Sequence, residues 1–374
     1  MPTSRKRVLT ALSHQQPDRS PVDMLAVPEI WNKLLMHCGV KTREEVLRFL
    51  QVDCRRVSYD SYAMPPGHIT ADGEVDWTDH PACTTTERVF RLRKDGHLMD
   101  IWGACRRLTA HPYGTYEELV KFPLANAETL ADLAAYDWPT PAWFDFSLLP
   151  AEIQTLDSGG EVHIRYRIGS LFETAWSLRG FEQTLIDLAE APEIPGYIMD
   201  RILEVHLANL DSAVEASNGR LDMVYYYDDL ASMNNLLMSP VAYRRVIKPR
   251  QEKLLKAVKA YGLPVMYHCD GSIYKLIPDL LEMGVTLLNP IQVNAKDMSA
   301  ANLKQAFGDK LSFHGGVDIV NLLPKGSVEE VRAGIRSLVE TLGQGGGYIL
   351  APSHHLQADT SLENVLAMYE TDLR

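Results

Sequence analysis

Cysteine is scarce: Cys38, Cys54, Cys83, Cys105 and Cys269 are the five in 374 residues. An odd, dispersed set without a Cys-x-x-Cys pair argues against a disulfide framework and fits reduced thiols in a cytoplasmic protein. No run of about 18 apolar residues occurs, which excludes a membrane-spanning helix. Met1 to Leu9 carries basic residues with no apolar stretch behind them, so no signal peptide is expected. Positive charge is also short. Lys plus Arg number 37 against 49 Asp plus Glu, a net charge of −12, which disfavours nucleic acid and anionic membranes as partners. Gly-x-Ser-x-Gly, the P-loop, His-Glu-x-x-His and Gly-x-Gly-x-x-Gly are all missing. Hydrolase, kinase and dinucleotide-dependent dehydrogenase readings therefore lack a motif.

What is present is an ordinary globular composition, 46% hydrophobic and 23% charged, which excludes disorder, collagen-like repeats and coiled coil as the main organisation. A chain of this length buries a sizeable core. Short apolar runs recur at Pro21–Ala26, Cys54–Tyr59, Val162–Ile168, Asp222–Tyr227, Pro264–Tyr267, Thr286–Asn289, Leu311–Phe313 and Tyr348–Leu350. Between the later ones lie stretches of helical periodicity, Pro240–Tyr261 and Ile273–Met283, each followed by glycine, and Ser327–Leu342, which opens on a Ser-x-x-Glu capping box. Alternating strands and helices predict parallel βαβ units. Eight of them predict an α/β fold of the (β/α)8 (TIM) barrel type, with a doubly wound sheet as the alternative.

Thr84–Arg107 departs from this alternation, with two strand-like runs around the turn Lys94-Asp95-Gly96. Residues 68–145 are expected to be a β-hairpin and short-helix insertion in the N-terminal half of a single barrel domain spanning 1–374. Gly345-Gly346-Gly347 lies before the last strand rather than between a strand and a helix. It reads as a tight turn, not a phosphate cradle.

In such barrels the chemistry sits at the C-terminal ends of the strands. Those ends carry Asp228 and Asp229; His268, Cys269 and Asp270; Asn289 and Gln292; His314 and Asp318; and Ser353, His354 and His355. Strand alternation turns His268 and Asp270 toward the axis and Cys269 toward the helices, as a small buried hydrophobe. An inward His354 joins the first two. Two imidazoles and a carboxylate form a ligand set for a catalytic divalent metal; the alternative is a hydrogen-bonded network that binds an organic ligand. His314 is a candidate general acid or substrate ligand, and structural packing is its alternative. Of Asp228 and Asp229, alternation admits one to the pocket; Asp228 is the candidate acid. Tyr226, Asn289, Gln292, Asp318 and His355 are candidate substrate contacts, and packing is the alternative for the tyrosines.

Four C-terminal stretches, MSPVAYRRVIKPRQEKLLKAV (238–258), MYHCDGSIYKLIPDLLEMGVTLLNPIQ (266–292), FHGGVDIVNLLPKGSVEEV (313–331) and GGYILAPSHHLQADTSLENVLAMYE (346–370), resemble the uroporphyrinogen decarboxylase-like superfamily. RKRVLTALSHQQPDRSPVD (5–23) is similar to its opening, and KFPLANAETLADLAAYDWPTP (121–141) resembles a segment of its methyltransferase-type members. The resemblance implies a (β/α)8 barrel. It also implies either cofactor-free decarboxylation or zinc-assisted methyl transfer to or from a corrinoid protein. Two departures lean toward the latter. The decarboxylases carry arginines after the first strand, whereas Pro21–Leu34 has none, which disfavours a substrate with eight carboxylates. The thiol-directed methyltransferases carry His-x-Cys, where this chain has His268-Cys269-Asp270, and a later Cys near Ser353-His354-His355. Zinc held by His268, Asp270 and His354 would be a harder Lewis acid, suited to a small O-methyl donor, or an N- or S-methyl one. The implied partners are that donor and a separate corrinoid protein; a homodimer is compatible with the sequence. The alternatives are a decarboxylase of a smaller carboxylic acid and a non-catalytic binding subunit.

Overall fold

The computed structural model describes residues 2–63, 75–78, 90–93, 95–111 and 114–373. Seven parallel strands are ordered β1 (Cys54–Ser58), β7 (His163–Gly169), β8 (Met223–Tyr227), β9 (Val265–His268), β10 (Leu287–Ile291), β11 (Ser312–Val317) and β12 (Tyr348–Pro352). Each is short; β7, β8 and β12 carry β-branched or aromatic residues and are buried on both faces, as a barrel wall requires. Helices between the strands start and stop on local signals. Ser327 makes the capping box with Glu330 at the start of Val328–Leu338, and Gly284 ends Ile277–Met283 in the left-handed conformation.

The eighth stave differs from expectation. Pro21–Ala26 is extended but is not a regular strand; it touches the sheet through single bridges, Val22 to Leu350 and Ala26 to Leu356. Asp23 N–H donates to the Leu350 carbonyl and Asp53 N–H to the Val22 carbonyl, so the segment joins both edges and closes the ring. Asp53, fully buried, anchors this seam. Its carboxylate accepts from Val22 N–H at 2.8 Å and from Arg7 at 2.6 Å. Arg7 lies on the helix Ser4–Leu12, whose Val8 packs with Cys54, Met223, Met266, Leu287 and Ile349 inside the barrel. The N-terminal end is thus plugged with apolar side chains, and polar chemistry is left to the other end.

The stretch expected to form a hairpin and short helices holds a larger unit. Strands β2 (Val75–Thr78), β3 (Phe90–Arg93), β4 (Leu98–Met99), β5 (Cys105–His111) and β6 (Gly114–Lys121) form an antiparallel sheet in sequence order. Asp95 and Gly96 lie in the β3–β4 turn; Lys94 and Cys83 fall outside the described residues. Next to this sheet, Trp102 donates its indole N–H to the Tyr59 hydroxyl at 3.1 Å, which brings residues 100–102 to the barrel mouth. No helix among the described residues is long and apolar enough to cross a membrane.

Candidate active site at the barrel mouth

Alternation decides which side chains meet at the mouth. In β8, Tyr225 and Tyr227 face the interior with Met266 of β9. Two residues beyond Tyr227, Asp229 therefore arrives on the inner side. Its Oδ1 lies 3.9 Å from His268 Nε2 and accepts the Asp270 N–H at 2.8 Å. His268 Nε2 is also 3.9 Å from Asp270 Oδ1, and His354 Nε2 is 3.7 Å from Asp270 Oδ2. The structure thus brings His268, Asp270 and His354 together, and adds Asp229. Asp229, His268 and Asp270 each offer a ligand atom within 4.8 Å of the others. Asp270 Oδ1 is buried without a hydrogen-bond partner, which leaves an acceptor directed at this cluster unsatisfied.

Electrostatics follow from the crowding. Burial, and then the like charge of Asp270, push the Asp229 carboxyl up to about 7. Burial opposes charge on His268, but Asp270 and Asp229 outweigh it and raise the imidazole. Burial lowers His354, and His355 more strongly, because His354 and Arg56 add to the burial. The rings of His354 and His355 lie 4.8 Å apart, and His355 Nε2 is buried without a partner.

Behind His268 runs a relay that fixes its proton. His268 Nδ1 and Asn289 Oδ1 are 2.7 Å apart, Asn289 Nδ2 and His314 Nδ1 are 2.6 Å apart, and His314 Nε2 is 2.8 Å from Asp23 Oδ2. Asp23 also pairs with Arg165. A carboxylate only accepts, so His314 carries its proton on Nε2 and its Nδ1 accepts from the Asn289 amide. That turns the Asn289 carbonyl toward His268, which donates from Nδ1. His268 Nε2 then faces Asp229 and Asp270, the nitrogen that either binds a proton between the carboxylates or gives its lone pair to a cation. His314 and Asn289 are therefore deep positioning groups, both fully or almost fully buried.

Several expected contacts lie elsewhere. Tyr226 points out of the barrel: its ring packs on Tyr267, its hydroxyl donates to Asp228, and Gln251 donates to that hydroxyl at 3.1 Å. Asp228 also faces outward, because it is one residue out of phase with Tyr227. It accepts from the N–H groups of Phe172 and Glu173 and from Gln251, capping the helix Phe172–Arg179. Burial pushes it up to about 6, yet it is not at the mouth. Gln292 accepts Gly271 N–H at 2.7 Å and so holds the His-Cys-Asp-Gly turn. Gly271 has φ +80°, and a Cβ there would lie 2.4 Å from the Ser232 carbonyl oxygen, which requires glycine. Asp318 accepts from Val320 and Asn321 N–H in a local turn. Cys269 is fully buried and accepts from Leu230 N–H on the helix side.

The uroporphyrinogen decarboxylase (URO-D) family matches residues 122–372. Uroporphyrinogen decarboxylases of two Thermus thermophilus strains are each 25% identical over 174 residues, 46% of this chain and 46% of theirs. The chain thus spans about half the length of the curated relatives it matches. A solved methyltransferase from Methanosarcina mazei has the same fold, with a TM-score of 0.66 at 17% identity over 98% of this chain and 97% of that one. Because the family match begins just after β6, runs past β12 and takes in the whole mouth cluster, the chain belongs to the uroporphyrinogen decarboxylase family.

Proposed function

We propose that this protein is a methyltransferase that moves a methyl group from a small O-methyl donor, or an N- or S-methyl one, to the corrinoid of a separate protein. The observation that carries the reading is the convergence of Asp229, His268 and Asp270 at the barrel mouth. The donor set suits zinc: one imidazole lone pair and two carboxylates, one with an unsatisfied buried oxygen, and His354 alongside. Asp229, His268 and Asp270 would hold the ion, and its Lewis acidity would withdraw charge from the leaving heteroatom. The relay from Asp23 to Asn289 keeps His268 oriented. His354, whose imidazole pKa is lowered by burial, stands alongside with Nε2 3.7 Å from Asp270 Oδ2 and would meet the donor. In such a transfer the bond from methyl carbon to the leaving heteroatom would break with both electrons staying on the heteroatom, and a Co(I) corrinoid would supply the electron pair that takes up the methyl group. The same-fold methyltransferase supports the reading at the level of architecture.

Purified protein is expected to hold about one zinc per chain and, with Co(I) corrinoid protein, to demethylate a member of an O-, N- and S-methyl donor panel. No turnover across that panel overturns the proposal. Asn289→Ala is expected to weaken Co2+ binding, followed by its visible absorption, by about 10–100-fold, because the imidazole loses its fixed tautomer, and to lower stability by about 1–3 kcal/mol, because His314 Nδ1 is left buried without its donor.

A second reading, metal-free decarboxylation of a small carboxylic acid, draws on Arg56, Arg165 and Arg167 in the barrel wall. Arg165 is paired with Asp23 and Arg167 with Asp60, which leaves less of this charge for a substrate. Carbon dioxide release by zinc-free protein would favour it.

A further inference from the structure

One hydroxyl at the barrel mouth has its oxygen engaged and its hydrogen unspent. Trp102 Nε1 can only donate, so the Tyr59 oxygen, 3.1 Å away, accepts and its own hydrogen points elsewhere. Among the described residues no acceptor takes that hydrogen. The ring is not free to swing toward one. Phe144 and His206 pack on it, with centroids 6.1 and 5.1 Å away, and even a Cβ on Gly169 would lie 3.2 Å from its Cε1. Tyr59 is 4% exposed, and a buried donor left unsatisfied is costly. Burial holds the phenol well above its ordinary range, and Tyr227 and Asp60 add to this, so the group keeps its hydrogen.

Tyr59 and Trp102 line a cavity of about 20 Å³ with Asp60, Asp100, Glu173 and Tyr227. The groups that act on the Tyr59 hydroxyl, namely Trp102, Tyr227 and Asp60, are thus all walls of this cavity. It adjoins the reacting centre. Tyr227 is on the inner face, two residues before Asp229. Glu173, whose N–H the Asp228 carboxylate holds at 2.8 Å, acts on Asp229, His268 and His354, behind burial and the nearer groups.

We propose that this cavity receives a free hydroxyl group of the methyl donor, and that Tyr59, aimed by Trp102, selects donors that carry one. This deepens the methyl-transfer reading and rests on it for the nature of the ligand.

The inventory of donors and acceptors decides which group fits. Besides Tyr59, the walls present carboxylates, which only accept: Asp60, bonded by Arg167 and Ser58, Asp100, bonded by Arg106, and Glu173. A carboxylate accepts several bonds, so pairing does not exhaust it. The occupant has to accept from Tyr59 and donate to a carboxylate, within the space of about one water. A hydroxyl does both. An ether oxygen only accepts, and an ammonium only donates. A carboxylate only accepts, and here it would meet three like charges. A site built to bond a hydroxyl rejects the analogue without it, because the site's own polar groups are then left unpaired.

The probes are two matched pairs, added to 15N-labelled full-length protein without any corrinoid partner. One pair is ethylene glycol monomethyl ether and the dimethyl ether; the other is guaiacol and veratrole. Within each pair the second compound has the hydroxyl capped by methyl. Trp102→Phe assigns the Trp102 indole N–H, which bonds the Tyr59 oxygen. That resonance is expected to move saturably with the hydroxyl compound of at least one pair, with a Kd about tenfold below that of its capped partner. In folded Tyr59→Phe the hydroxyl compound is expected to weaken about tenfold, to the level of the capped one. No saturable response to either hydroxyl compound overturns the proposal, and so does an equal Kd within both pairs; neither result needs a variant. A preference that survives in Tyr59→Phe overturns it too. Turnover is read separately: a chain that prefers the hydroxyl compounds through Tyr59 but demethylates no donor keeps the hydroxyl subsite and loses the methyl-transfer reading.

Discussion

Asp23→Asn is expected to destabilise the fold by about 3–5 kcal/mol, read as a lower urea midpoint with an unchanged slope. The substitution keeps the side chain's size, so no cavity forms. What it removes is the charge partner of Arg165, a guanidinium 4% exposed in the barrel interior. A buried ion that loses its counter-ion retains the full cost of leaving water, which is why deleting one partner costs more than the pair contributes. The pH dependence has a definite sign. Burial acts to raise the Asp23 carboxyl, but Arg165 and His314 outweigh it and hold it well below the ordinary range. A carboxyl depressed in the folded state stabilises at every pH above its unfolded value, about 3.9. It loses that contribution as pH falls toward its folded value. Below about pH 4, the wild type should therefore lose stability with a steeper slope than Asp23→Asn. Equal slopes and an equal midpoint would show that the Asp23–Arg165 pair is not what closes the relay.

The parts of the fold that repeat were legible in the sequence, because a parallel strand buried on both faces must be written in apolar residues. β7 through β12 fall where the apolar runs place them. The first stave was legible as extended chain but not as an irregular one, since its hydrogen bonds go to two different edges and periodicity does not encode partners. The sheet from β2 to β6 was only half visible, because its turns rather than its strands carry the signal.

The site shows the same division. His268, Asp270 and His354 could be placed by strand ends and the i, i+2 rule. The same rule, counted on from an inward Tyr227, selects Asp229 over Asp228 and sends Tyr226 outward; the error lay in the phase of the tyrosine run. Asp23 and Arg165 were harder. They sit 142 residues apart and meet only because the barrel closes, and nothing local marks either as half of a buried pair.

His268→Ala is expected to abolish zinc retention and to lower methyl transfer by at least about 10²-fold, while the circular dichroism spectrum and fold remain. The imidazole is where the two halves of the site join. On its Nδ1 side stands the relay through Asn289 and His314; on its Nε2 side stand both carboxylates. Without it, Asp229 and Asp270 face each other with nothing between them, and like charges at that spacing favour a shared proton over two free carboxylates. The cluster then loses both a nitrogen donor and one negative charge. Tyr226→Phe is the matched control from the outer face of β8. It removes a buried hydroxyl that donates to Asp228 and should lower stability by about 1–3 kcal/mol, with turnover kept within about twofold, since its ring packs on Tyr267 and not at the mouth. If His268→Ala kept its zinc and its rate while Tyr226→Phe lost them, the reacting centre would lie behind the strands, against the helices, and not over the barrel axis.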